Sequence, residues 1–252
     1  LTLITDISDV GTDTGLVRFV GKYLNSNKLK ALRFLKLGLK VKLAAWLVVL
    51  VLGWFLTPFV SANILAKSEL LIPLRLALVG VGGALLFSFA THAVQAIQRF
   101  WVWSGLNVAG NLIRLFGVIL LISLMQLNLI SGFIVYIAVP FLGFLVGLFF
   151  IPSFFKVKNE SGVAKEFFKY NKWVALFVLM AAVSSRLDTY ISTRLISLAE
   201  VGIYSVAVQL AGIVPQVVFA LASVAAPKLA GYDSDIKVKD YLKKLQVFTL
   251  GL

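Results

Sequence analysis

The chain has 252 residues, of which 60% are hydrophobic and 14% charged, with a mean hydropathy of +0.96. An ordinary soluble domain has roughly 45–50% apolar and about 25% charged residues, so the composition excludes a water-soluble fold and indicates an integral membrane protein. The absence of cysteine excludes disulfides and thiolate metal sites, and the formal charge of +13 raises nucleic acid as a partner, which the placement of the basic residues decides against below.

Apolar segments of membrane-spanning length recur along the chain. They are expected to be helical, because backbone in lipid must satisfy its own hydrogen bonds and the alternation of barrel strands is missing. A partial span at 1–20 is followed by full spans at 43–62, 74–97, 100–126, 128–152, 173–197 and 203–227, and by a second partial span at 245–252. The chain opens at Leu1 and closes at Gly251-Leu252 inside an apolar segment, and it reads as a fragment of a longer protein.

The first span carries Asp6, Asp9 and Asp13 at i, i+3 and i+7, a spacing that puts three carboxylates on one helical face with Thr2 continuing the stripe. Carboxylates cannot face lipid, so a cavity wall is the first reading, exposure beyond the membrane the second and a coupling-ion site the third. Arg18, near the inner end of this span, is expected to snorkel. The stretch Lys22 to Lys42 then reads as a solvated cytoplasmic loop, with an amphipathic helix on the inner leaflet as the alternative, since Leu29, Leu32, Leu35 and Leu39 recur among its lysines.

His92, the single histidine, lies in FATHAVQAIQ and is read as a packing residue ahead of a proton relay. Arg114 in the 100–126 span shares a face with Asn107 and Asn111 and is a candidate ligand for an anion. Gly11 with Gly15, and Gly143 with Gly147, are spaced for close helix packing. Pro58, Pro140 and Pro215 fall within spans, where each removes a backbone donor.

The 173–197 span, WVALFVLMAAVSSRLDTYISTRL, is the most heavily charged. Each charge at the bilayer centre costs roughly 2.5–3.5 kcal/mol on insertion scales, so Arg186 and Asp188 should face protein or a wet cavity. Arg186, Tyr190 and Arg194 form one stripe; Asp188 lies about 200° around the helix from Arg186. Arg186 is the first candidate for binding phosphate, since guanidinium is permanently charged and pairs its donors with phosphate oxygens. Arg194 lies nearer the outer end, where snorkelling competes. Asp188 is left open between a counter-charge, a proton or cation site and a helix lock.

Basic residues alternate between connections. Lys22, Lys28, Lys30, Arg33, Lys36, Lys40 and Lys42, then Arg99, then Lys156, Lys158, Lys165, Lys169 and Lys172, then Lys228, Lys237, Lys239, Lys243 and Lys244 occupy one side; Lys67 alone occupies the other. This is the positive-inside pattern, and it accounts for the charge without nucleic acid. A basic segment followed by a new span occurs after VRFVGKYLN and again after ASVAAPKLAGYD, which points to two repeated helical halves. No metal-ligand spacing, phosphate loop or nucleophile elbow is found, so no cofactor is expected and an enzyme is not the expected reading.

The runs SDVGTDTGLVRFVGKYL and RLDTYISTRLISLAEVGIYSVAVQLAGIVPQVVFALASVAAPKLA, with the basic linker between them, resemble the polysaccharide biosynthesis proteins of the Wzx-type oligosaccharide flippase family. The resemblance implies an all-α polytopic fold of two repeated lobes around a central cavity, the second lobe incomplete: residues 1–152 would be a partial N-terminal lobe, 153–172 a cytoplasmic linker and 173–252 a partial C-terminal lobe. It implies alternating-access transport of a polyprenyl-diphosphate-linked oligosaccharide across the cytoplasmic membrane, among membrane lipids and polysaccharide assembly machinery. Arg186, Arg114, Asp188, Arg194 and Arg18 are then the candidate substrate contacts, and Asp6, Asp9 and Asp13 line a cavity or hold a coupling ion. A cation-coupled multidrug exporter of the same fold is the nearest rival; a membrane glycosyltransferase or polymerase is a weaker one, because the outer loops are short.

Overall fold

A computed structural model describes residues 2–158, 160–184 and 187–213. Among these residues the secondary structure is helical, with α1 Thr2–Asp9, α2 Thr12–Tyr23, α3 Lys28–Phe59, α4 Leu71–Ala96, α5 Phe100–Ser123, α6 Leu129–Leu148, α7 Ser161–Ser184, α8 Leu187–Leu195 and α9 Leu198–Ala211. The chain divides into two units, Leu1–Tyr190 and Ile191–Leu252. Among the described residues, five stretches are long and apolar enough to cross a membrane: Lys28–Ile64, Ser68–Ala96, Phe100–Ser123, Leu129–Leu148 and Gly162–Leu195. The all-α polytopic reading holds for the described residues; Pro215, most of the 203–227 span and the segment at 245–252 lie outside them.

Two expectations are corrected. The first span is two helices rather than one, because Val10 and Gly11 both adopt left-handed backbone, at φ 51° and 68°. The region 22–42 is not a separate loop: α3 starts at Lys28 and runs unbroken into the apolar span. Asn27 caps it, its side chain accepting from the Lys30 N–H at 3.0 Å. Its buried residues Ala31, Phe34, Leu35, Gly38, Leu39 and Lys42 recur at three- and four-residue intervals, which is one helical face.

Pro58 lies in the last turn of α3 and leaves the Trp54 carbonyl without its usual donor. The Thr57 hydroxyl donates to that carbonyl at 2.9 Å, and Ser61 donates to the Pro58 carbonyl at 3.1 Å. Hydroxyls thus satisfy backbone that lipid would leave bare. A π-helical turn, Val60–Ile64, then ends the segment.

In the first unit α4 is the central helix, buried along most of its length and packed against α3, α6, α2, α5 and α1. Small residues let α6 close on it: a Cβ at Gly143 would stand 2.6 Å from the Phe87 ring, and one at Gly147 would stand 2.7 Å from Ala90 Cβ. Gly11 and Gly15 admit α7 in the same way, against Val174 and Phe167. The same core continues between α2, α3 and α7, where Phe19 stacks on Phe34 with ring centroids 4.8 Å apart and Phe167 lies 6.1 Å from both. In the second unit, Ser197 and Glu200 form a reciprocal capping box at the start of α9.

Candidate functional site

The break between α1 and α2 places two carboxylates around one cation. Asp9 ends α1, and its Oδ2 accepts from the Asp13 N–H at 3.3 Å, capping the first turn of α2. The Oδ1 atoms of Asp9 and Asp13 both lie 2.7 Å from the Nζ of Lys42 on α3, whose side chain is wholly buried. From α4, the Ser88 hydroxyl lies 3.3 Å from Lys42 Nζ and donates to Asp13 Oδ2.

His92, one turn further along α4, completes the cluster. Its Nδ1 lies 2.9 Å from the Ser88 carbonyl and 3.2 Å from Asp13 Oδ1. Both are acceptors, so that nitrogen carries the proton. Four helices therefore meet in one polar knot, and a lone ammonium buried without such partners would be untenable.

A cavity of about 130 Å³ lies beside α1, lined by Thr5, Asp6, Gly80, Ala84, Arg114, Tyr136 and Pro140. The Arg114 guanidinium sits 4.7 Å from the centre of the Tyr136 ring, a cation–π distance. Its Nη1 is 3.5 Å from Asn111 Oδ1, while its buried Nε has no hydrogen-bond partner among the described residues. Asn107 does not join Arg114: it donates back to the Trp103 carbonyl at 2.8 Å. Pro140 on the same wall denies the Tyr136 carbonyl its usual helical donor. Tyr136 also lines a wider space of about 460 Å³ with Asn128, Leu129, Gly132 and Phe133, so the two share a wall toward the N-terminal end of α6.

The acidic stripe is thus divided. Asp9 and Asp13 close on Lys42; Asp6 faces the cavity that holds Arg114. Arg18 is exposed and lies 4.3 Å from the centre of the Tyr170 ring on α7. Asp188 and Arg194 are exposed on α8, and the Thr189 hydroxyl stands 3.5 Å from Asp188 Oδ1. Arg186 lies outside the described residues.

Lys42, Ser88, Tyr136 and Tyr170 are the contributors that motif reading passes over. Lys42 looks like one more inner-side lysine, yet it falls on the apolar face of α3 eight residues after Phe34, and that register was readable. Ser88 and Tyr136 carry no local signal, because their roles arise only when α4 meets α2 and when α6 meets α5.

Residues 1–232 match the profile of a family described as Polysaccharide biosynthesis protein. No curated protein and no solved structure matches the chain.

Proposed function

The chain belongs to the polysaccharide biosynthesis protein family, and from that premise we propose that it moves a polyprenyl-diphosphate-linked oligosaccharide from the inner to the outer leaflet of the cytoplasmic membrane by alternating access. A role in polysaccharide biosynthesis and a multi-pass membrane setting come with the family and with the apolar helices. The flipping step, the lipid-linked substrate and its direction are the proposal.

The observation that carries it is Arg114. A guanidinium held over Tyr136 at a cavity wall, with a buried Nε that nothing described accepts from, is a donor set matched to phosphate or to an acidic sugar. The cavity suits a polar group of the substrate and not a whole oligosaccharide. Asp6, which lines the same cavity, gives a second polar group toward sugar hydroxyls. Arg186, Arg18, Asp188 and Arg194 keep their proposed places along the substrate path, with Arg186 first among them.

A cation-coupled drug exporter draws on the three acidic residues of the first span. Two of them are committed to Lys42, which takes those carboxylates away from an organic cation and favours the anionic substrate.

The test is surface polysaccharide in cells that lack the native copy and carry the full-length protein with Arg114→Ala or Arg114→Lys. At matched protein level, Ala is expected to abolish most of the export and Lys to restore only a fraction, since ammonium keeps the charge and loses the paired donors. Normal export with Arg114→Ala would overturn the assignment. The same assay with Arg186→Ala tests the sequence-derived candidate.

A further inference from the structure

Lys42 is not held as surface lysines are. Its ammonium is wholly buried between two carboxylate oxygens at equal distances, with a hydroxyl oxygen as third neighbour. The chain also breaks here: α1 ends at Asp9, and left-handed Val10 and Gly11 follow. Asp9, Asp13 and Ser88 therefore converge on one point, which the chain fills with its own ammonium.

We infer that this point is a seat for a small alkali cation, plugged in this protein by the Lys42 side chain. The ammonium stands in for the ion: it is monovalent, compact and tethered by a flexible four-carbon stem. Asp9, Asp13 and Lys42 sum to one negative charge, with His92 Nδ1 at the edge of the seat, 3.2 Å from Asp13 Oδ1. Removing the ammonium leaves two facing carboxylates, which sodium would relieve and bulky choline, with no small charged centre, would not. Lys42 thus makes the seat indifferent to the ionic conditions of the medium. The inference stands apart from the flippase reading, because its readout is binding and not transport.

The experiment compares full-length wild type, Lys42→Ala and Lys42→Ala/Asp13→Asn, purified in detergent, by thermal unfolding in sodium chloride and in choline chloride at equal ionic strength. Lys42→Ala is expected to be less stable than wild type in choline and to gain about 3 °C or more in 100 mM sodium, saturably, as a bound ligand requires. Wild type and the double variant should unfold at the same temperature in both salts. If Lys42→Ala does not accumulate, Lys42→Ser, which adds an oxygen to the seat, is read in the same way. Equal unfolding of Lys42→Ala in sodium and choline would overturn the proposal. So would a sodium response as large in wild type or in the double variant, and so would failure of both single variants to accumulate in cells grown in sodium, since sodium should replace the ammonium.

Discussion

The indole of Trp46 on α3 occupies the space that a side chain at Gly82 on α4 would need. A Cβ there would stand 2.5 Å from Trp46 Cδ2 and overlap the ring. The indole is also fixed by its Nε1, which donates to the Leu78 carbonyl at 3.2 Å. Gly82→Ala is therefore expected to cost about 1–3 kcal/mol, the range for overpacking a tight core. Thermal unfolding in detergent measures it, and adding Trp46→Leu should recover a large part of the loss. A Gly82→Ala protein as stable as wild type would show that the ring moves aside freely.

Such contacts mark where sequence reading stops. The spans at 74–97, 100–126 and 128–152 agree with α4, α5 and α6 to within a few residues, because packing around α4 and lipid-facing surfaces on α5 and α6 leave these helices apolar nearly all round and little else reads that way. The break at Val10-Gly11 was not legible: there is no proline, and the stripe Asp6, Asp9, Asp13 fits an unbroken helix. Nor was the pairing of Asp13 with Ser88 and His92, which lie 75 and 79 residues away in sequence and meet only through the packing of α2 on α4. Arg114 was legible, as a charge inside a span with Asn111 one turn away; the Tyr136 ring beside it and Asp6 in the same cavity come from other helices.

Gly11 and Gly105 should respond in opposite directions to the same substitution. Gly11 is left-handed at φ 68°, and a Cβ there would stand 2.8 Å from Val174 Cγ1. Gly105, inside α5, has nothing within 4 Å of such a Cβ. Gly11→Ala is expected to cost about 2 kcal/mol or more, combining roughly 1–2 kcal/mol of backbone strain with the clash. Gly105→Ala is expected to gain up to about 1 kcal/mol from helix propensity. Unfolding midpoints measured side by side decide it, and equal values would mean that the break at Gly11 adjusts without cost.

The connection between α6 and α7 is tied to α3 by a lysine. Lys36 donates to the Phe155 carbonyl at 2.8 Å and to the Val157 carbonyl at 2.7 Å, and Arg33 adds a contact to Glu160 and a 3.3 Å hydrogen bond to the Lys158 carbonyl. Lys36→Met keeps the apolar stem and removes the donors. Tryptic cleavage after the exposed Lys156 and Lys158 should then run several-fold faster under native conditions, because proteolysis follows local opening. The Arg33–Glu160 pair is more exposed and should matter less. An unchanged cleavage rate in Lys36→Met would show that the carbonyl contacts do not hold the connection.

Thr57 and Pro58 should behave as a coupled pair. Proline at 58 leaves the Trp54 carbonyl unsatisfied, and the Thr57 hydroxyl takes the missing donor's place at 2.9 Å. Thr57 is buried, so water cannot readily replace it. Thr57→Val keeps the shape and removes the hydroxyl, at an expected cost of about 1–3 kcal/mol for a buried acceptor left bare. In a Pro58→Ala background the restored N–H at 58 can reach the Trp54 carbonyl, and the same Thr57→Val change should cost much less. A double-mutant cycle on unfolding free energies isolates this coupling. The Arg75 Nε, 3.4 Å from the Thr57 hydroxyl, contributes equally in both backgrounds and cancels. Purely additive effects would mean that the hydroxyl does not stand in for the proline's missing donor.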